Sequence, residues 1–120
     1  MKKVLIVDDQ AGVRSLLCAV LQSEECQIYE AANGPQALYM ISQYIPDFVL
    51  LDIRIPGMDG IEILKRIKET NSNICVTIMT AYSDENLIKQ ALEFGAFSCL
   101  SKPFDIEEVR TLIKRESSRL

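Results

Sequence analysis

Apolar and polar positions along this chain fall into a recurring block. A short apolar run leads into a few small or polar residues and then into a longer amphipathic stretch, and the block occurs five times. The runs are Lys3 to Val7, Gln27 to Ala31, Phe48 to Leu51, Ile74 to Met79 and Phe97 to Leu100. Four of these five are almost continuously apolar, which suits strands of a parallel sheet covered on both faces. The second, Gln27-Ile28-Tyr29-Glu30-Ala31, alternates and predicts an edge strand. Between the runs, Val13, Leu16, Leu17, Val20 and Leu21 stand at the spacing of one helix face. Ala37, Leu38 and Ile41 repeat it, as do Ile61, Leu64 and Ile67; Leu87, Ile88, Ala91 and Leu92; and Ile106, Val109, Leu112 and Ile113. Asn33 with Gln36, Asp59 with Glu62 and Asp105 with Glu108 have the spacing of a capping box or a close relative of it. Ser83 is placed to cap the fourth helix, and Gly95 to end it in a left-handed turn.

Five βα units in succession predict an α/β fold. The expected form is a doubly wound five-stranded parallel sheet with five helices, in the flavodoxin-like strand order 2-1-3-4-5. No linker or low-complexity tract interrupts the pattern, so residues 1–120 read as one domain. In such sheets ligands bind beyond the carboxyl ends of the strands, where the strand order reverses. The first run ends in Asp8-Asp9, the third in Asp52, the fourth in Thr80 and the fifth in Lys102. Strands 1, 3, 4 and 5 are neighbours in this order, so three carboxylates, one hydroxyl and one ammonium should converge on one pocket.

Carboxylates so close together need a cation or raised pKa values. A hard divalent ion such as Mg²⁺ suits oxygen donors and leaves room for a phosphate oxygen. The chain has no histidine, so zinc and copper fit poorly. With the ion bound, one carboxylate can attack phosphorus and become an aspartyl phosphate. Asp52, alone at the end of its strand, is the natural nucleophile, and Asp8 and Asp9 are better placed as metal ligands. Lys102 would balance the phosphoryl oxygens, and the Thr80 hydroxyl would hydrogen-bond one of them. Taken singly, each has a plainer role: an aspartate can cap the next helix, Thr80 can be a strand residue, and Lys102 can be a solvated lysine. Their coincidence at one sheet edge favours the chemical reading.

Composition narrows the field further. Thirteen basic against seventeen acidic residues give a net charge of −4 with no basic block, a poor basis for binding nucleic acid directly. The absence of histidine excludes histidine-based acid–base catalysis and a phosphohistidine on this chain. The four cysteines lack C-x-x-C spacing and read as reduced thiols, three of them in apolar stretches that suit the core. No apolar run approaches the ~20 residues of a membrane helix. The run behind Met1-Lys2-Lys3 stops at Asp8, too short for a signal peptide, so a cytoplasmic protein is expected.

Several segments carry a family likeness: Val4-Leu5-Ile6-Val7-Asp8-Asp9, Ala31-Ala32-Asn33-Gly34, Pro46-Asp47-Phe48-Val49-Leu50-Leu51-Asp52, Ile55-Pro56-Gly57-Met58-Asp59-Gly60, Met79-Thr80-Ala81-Tyr82 and Lys102-Pro103-Phe104. Each is weak alone. In this order and spacing they resemble the receiver domain of two-component response regulators over nearly the whole chain. The resemblance implies a phosphoacceptor that assists its own Mg²⁺-dependent phosphorylation and dephosphorylation. Asp52 would receive the phosphoryl group from the phosphohistidine of a sensor histidine kinase. Mg²⁺ would sit on Asp8 or Asp9, Asp52 and the backbone carbonyl of Arg54. Thr80 and Lys102 would contact the phosphoryl group, and the Lys102–Pro103 bond would be cis.

Within the family, Val7-Asp8-Asp9-Gln10, the stretch from Ile55 to Arg66, and Lys102-Pro103-Phe104-Asp105-Ile106 are most similar to the single-domain regulators of a sporulation phosphorelay. That likeness implies a monomer that passes its phosphoryl group to a histidine phosphotransferase. Partners would dock over Gln10, Gly12, Val13, Leu16, Pro103 and Phe104. Val13 and Leu16 fit the core-facing stripe of the first helix equally well. One position departs from the pattern: most receivers carry an aromatic residue three places before the lysine, the sporulation regulators carry a histidine, and this chain has Cys99. A thiol cannot make the aromatic swing that reports phosphorylation. Only Lys102 is near enough in sequence to activate it as a redox sensor.

The alternative reading is the receiver half of a DNA-binding transcriptional regulator, with Lys114 to Arg119 as the start of a linker. An aspartate-based phosphohydrolase fits less well, because the position two residues after Asp52 is Arg54, which cannot donate a proton at neutral pH. A flavin binder fits poorly too, since Asp8-Asp9-Gln10 would repel a phosphate.

Overall fold

The computed structural model describes residues 2–22, 25–81 and 84–119, with side chains to residue 115. Strands β1 (Lys2–Val7), β2 (Cys26–Ala31), β3 (Phe48–Asp52), β4 (Cys75–Ala81) and β5 (Ser98–Lys102) alternate with helices α1 (Ala11–Gln22), α2 (Gly34–Tyr44), α3 (Gly60–Thr70), α4 (Glu85–Glu93) and α5 (Ile106–Arg119). All strand pairs are parallel, in the order β2-β1-β3-β4-β5, with the alternating strand β2 at one edge.

The two faces of the sheet bury two separate cores. Leu5, Val7, Val49, Leu51, Val76 and Ile78 point toward α2, α3 and α4, where they meet Ala37, Ile41, Ile61, Ile63, Leu64, Ile67 and Ala91. Their strand neighbours Val4, Ile6, Phe48, Leu50, Met79 and Leu100 point the other way, onto Leu17, Val20 and Leu21 of α1 and Val109, Leu112 and Ile113 of α5. Period-2 alternation thus assigns every strand residue to one layer, and each fully buried leucine or isoleucine contributes roughly 1.5–3 kcal/mol.

The expected caps are present, with differences of detail. Asn33 accepts from the Gln36 amide at 2.9 Å, and the Gln36 side chain reaches back to the Ala32 amide at 2.8 Å. Asp59 accepts from the Ile61 amide, while Glu62 pairs with Arg66 instead of closing a box. Asp105 accepts from Glu107 N. Gly95 follows α4 with φ +101°, the left-handed conformation that glycine adopts most readily. Ser83 lies outside the described residues; the position before α4 is Asp84, whose side chain makes no capping bond.

Three expectations about burial need correction. Leu92, in the predicted apolar stripe of α4, is exposed; only Ala91 of that helix is fully buried. Ile106, at the first position of α5, is exposed as well. All four cysteines are reduced thiols, half-buried at the edges of the two cores and not inside them. Among the described residues no helix is long and apolar enough to cross a membrane.

Helix α3 sits hard against the chain that leaves β3. A Cβ on Gly60 would stand 2.6 Å from the Ile53 Cα and closer still to its carbonyl oxygen. Both obstacles are backbone and cannot rotate away. Gly60→Ala is expected to cost about 3 kcal/mol in denaturant unfolding. Gly12→Ala, where nothing lies within 4 Å of the new atom, should gain about 0.5 kcal/mol from helix propensity.

Candidate functional site

Strand register builds the site. Val7 pairs with Leu51, so the next residues, Asp8 and Asp52, leave the sheet side by side. Both continue the series that faces α1 and α5, as does Lys102 after Leu100. Asp8 is completely buried, Asp52 is buried, and Asp9 is exposed. One carboxylate oxygen from each of the three lies within 4.8 Å of the others. Lys102 Nζ donates to Asp8 Oδ2 at 2.8 Å and to Asp52 Oδ2 at 3.1 Å. The remaining oxygens are fixed by backbone amides: Gln10 N donates to Asp8 Oδ1 at 2.9 Å and Arg54 N to Asp52 Oδ1 at 3.0 Å. The Lys102–Pro103 peptide is cis.

Burial pushes the Asp52 carboxyl above the usual range. The Arg54 amide and Lys102 pull it back down without cancelling the effect, and Asp8 adds to the rise. Burial pulls the Lys102 ammonium down, but its hydrogen bond to Asp8 and the charge of Asp52 outweigh that, and its pKa ends above the ordinary lysine value. Lys102 therefore stays protonated. One ammonium among three carboxylates leaves the cluster electron-rich. Its donors are all oxygen, and two of the three carboxylates are held in place by backbone amides, a set that fits a hard divalent cation such as Mg²⁺.

Thr80 is not gathered into this cluster. It continues the Val76–Ile78 series, which faces α3 and α4. Its hydroxyl donates to Asp84 Oδ2 at 2.7 Å. The same carboxylate receives the Arg54 guanidinium, with Nε 2.9 Å from Oδ2 and Nη2 on Oδ1. Hydrogen bonds from Arg54 and then Thr80 hold the Asp84 carboxyl down at about 2. Sequence reading missed Asp84: an acid at the start of a helix looks like a cap, and its true partner stands thirty positions earlier.

Of the expected docking residues, Gln10, Val13, Leu16, Pro103 and Phe104, together with Lys102, line one groove of about 380 Å³ beside the cluster. Gly12 is exposed but does not line it. Leu16 is 41% exposed, so it faces outward, whereas Leu17, Val20 and Leu21 form the buried stripe. Val13 is half-buried at the boundary. Cys99 lines a separate cavity of about 400 Å³ with Thr111 and Arg115. Burial pushes its thiol up, away from reactive thiolate.

Residues 4–114 match the response regulator receiver domain family. The chain is 53% identical to sporulation initiation phosphotransferase F of Bacillus subtilis (strain 168), over 95% of this chain and 92% of that protein. It is 40% identical to the DNA-binding transcriptional regulator NtrC of Escherichia coli (strain K12), of which it spans 24% of the length. Among solved structures, the receiver domain of NtrX from Brucella abortus superposes with a TM-score of 0.88 at 27% identity, covering 94% of this chain and 96% of that one. A CheY-like receiver domain protein from Methanospirillum hungatei JF-1 gives a TM-score of 0.94 at 24% identity, covering 99% and 95%; it shares the fold.

Two stability measurements follow from the carboxyl groups. A raised folded-state pKa means that Asp52 favours the fold when protonated, and that this contribution is lost as pH rises through its folded value. Asp52→Asn should therefore raise the melting temperature at pH 7 by roughly 3–5 °C, the response to about 1 kcal/mol. Asp84 has the opposite sign. Its stabilisation is complete above the ordinary aspartate pKa of about 3.9 and is lost as pH falls toward about 2. Asp84→Asn should thus melt below the unaltered protein at pH 7, with the gap closing by pH 2.

Proposed function

The chain belongs to the response regulator receiver domain family, and from that membership we propose that it is a phosphorelay component that carries a phosphoryl group on Asp52. The single observation that supports this most strongly is the cluster of Asp8, Asp9 and Asp52 around the Lys102 ammonium. A carboxylate oxygen of Asp52 attacks the phosphorus of a phosphohistidine on a sensor histidine kinase. A P–O bond forms, the P–N bond breaks, and the imidazole leaves with the electron pair and takes a proton.

The chain's own residues do the positioning. The Arg54 amide holds the Asp52 carboxylate in a fixed orientation, and burial keeps it poorly solvated, hence reactive. Lys102 already bridges Asp8 and Asp52, so its ammonium is within reach of a phosphoryl oxygen added to Asp52. Asp8, Asp9, Asp52 and the backbone carbonyl of Arg54 would hold Mg²⁺, which supplies neutralisation of the transferring charge. Thr80 would donate its hydroxyl to the phosphoryl group once released from Asp84. Return transfer, to a histidine phosphotransferase, is the same reaction reversed. Similarity to the Bacillus sporulation phosphotransferase supports this second partner and a role in sporulation signalling in the cytoplasm. The groove over Gln10, Val13, Leu16, Pro103 and Phe104, with Gly12 on its flank, supplies an apolar surface next to Asp52 for either partner.

A second reading draws on the 40% identity to the receiver quarter of NtrC: the same phosphoacceptor would control a DNA-binding output. The chemistry at Asp52 is common to both readings.

Intact-mass measurement after incubation with acetyl phosphate tests the reading. One phosphoryl adduct is expected with Mg²⁺, none with chelator, and none in Asp52→Asn. An adduct that persists in Asp52→Asn would overturn Asp52 as acceptor. Adding a phosphotransferase from a sporulation relay should remove the adduct; failure to do so while a kinase still loads Asp52 would favour the second reading.

A further inference from the structure

The Asp84 carboxylate is a buried hub between two groups that flank the acidic cluster. It accepts the Thr80 hydroxyl at 2.7 Å and binds the Arg54 guanidinium through both its oxygens. It is 6% exposed, and it leaves its own helix uncapped to make these bonds. Arg54 is also the residue whose amide orients Asp52. One carboxylate thus ties down the Thr80 hydroxyl at the end of β4 and the side chain of the residue whose amide orients the acceptor.

We propose that Asp84 is a positioning residue that latches the unphosphorylated state and lowers the steady-state level of phosphorylated Asp52. This rests on the phosphoacceptor reading above. While Thr80 donates to Asp84, its single hydroxyl proton cannot serve a phosphoryl oxygen on Asp52. A bond made in one state and broken in the other biases the balance between them by its own strength. Arg54 adds to the bias: its charge is neutralised on Asp84, and release would leave it free for the extra negative charge on Asp52. Modification at Asp52 would then pull Thr80, and with it the start of α4, off Asp84.

The test compares the phosphorylated fraction at steady state in acetyl phosphate and Mg²⁺, by intact mass, with folding of each variant checked by circular dichroism. Asp84→Asn, which keeps the shape but weakens both bonds, should raise the ratio of phosphorylated to unphosphorylated protein by about tenfold, the order set by one charge-assisted hydrogen bond. The rise should persist in combination with Thr80→Ser, which keeps the hydroxyl, and shrink in combination with Thr80→Ala, where only the Arg54 tie is left to release. No rise in Asp84→Asn, or an equal rise with Thr80→Ala, overturns the latch. An unaltered protein that takes no phosphoryl group at all would instead overturn the phosphoacceptor reading.

Discussion

Three carboxylates that place oxygens within 4.8 Å of one another repel strongly, and a single ammonium bridges two of them. At such separations a pair of like charges costs on the order of 4 kcal/mol in a partly screened protein setting. Lys102 answers part of that repulsion, reaching from β5 to two aspartates at the ends of β1 and β3 that are 94 and 50 positions away in sequence. The remainder is a standing demand for positive charge. A domain optimised only for stability would not leave it there; conserving a destabilised site in exchange for reactivity is a familiar trade in functional proteins.

The sheet turns that demand into geometry. Alternation along the strands sends Asp8, Asp52 and Lys102 toward the layer of α1 and α5, and Thr80 toward the layer of α3 and α4. At the rim Arg54 touches both layers: its backbone amide serves Asp52 and its side chain serves Asp84. Gly60 seals the back of this junction by letting α3 rest directly on the Ile53 backbone. The groove lined by Val13 and Phe104, by contrast, lies on the side of the first layer.

What could be read from the sequence was whatever depends on local pattern. Continuous apolar runs gave the strands and their order, and residues at the ends of those runs gave Asp8, Asp9, Asp52 and Lys102. Side chains whose partners are distant escaped. Asp84 looks like an ordinary helix-start acid, because nothing near it in the chain announces Arg54. The direction of Thr80 depends on strand parity at a rim where backbone pairing is about to end. Leu16 and Leu92 satisfy a helical stripe yet face solvent, because spacing gives the phase of a helix but not how wide a strip its neighbours cover. The thiols lie at core margins for the same reason: apolar surroundings in sequence do not fix depth.

The pairing of Val7 with Leu51 and of Asp52 with Met79 has a consequence for how the protein's quality can be judged. A slip of one residue in β3 would turn Asp52 into the opposite layer and bring Leu51 or Ile53 to the place of the carboxylate, since side chains alternate faces at every step. Such a chain would hold no weakened centre; it would hold none. The meeting of the Asp52 carboxylate with Asp8 and Lys102 is therefore an all-or-none reporter of strand alignment.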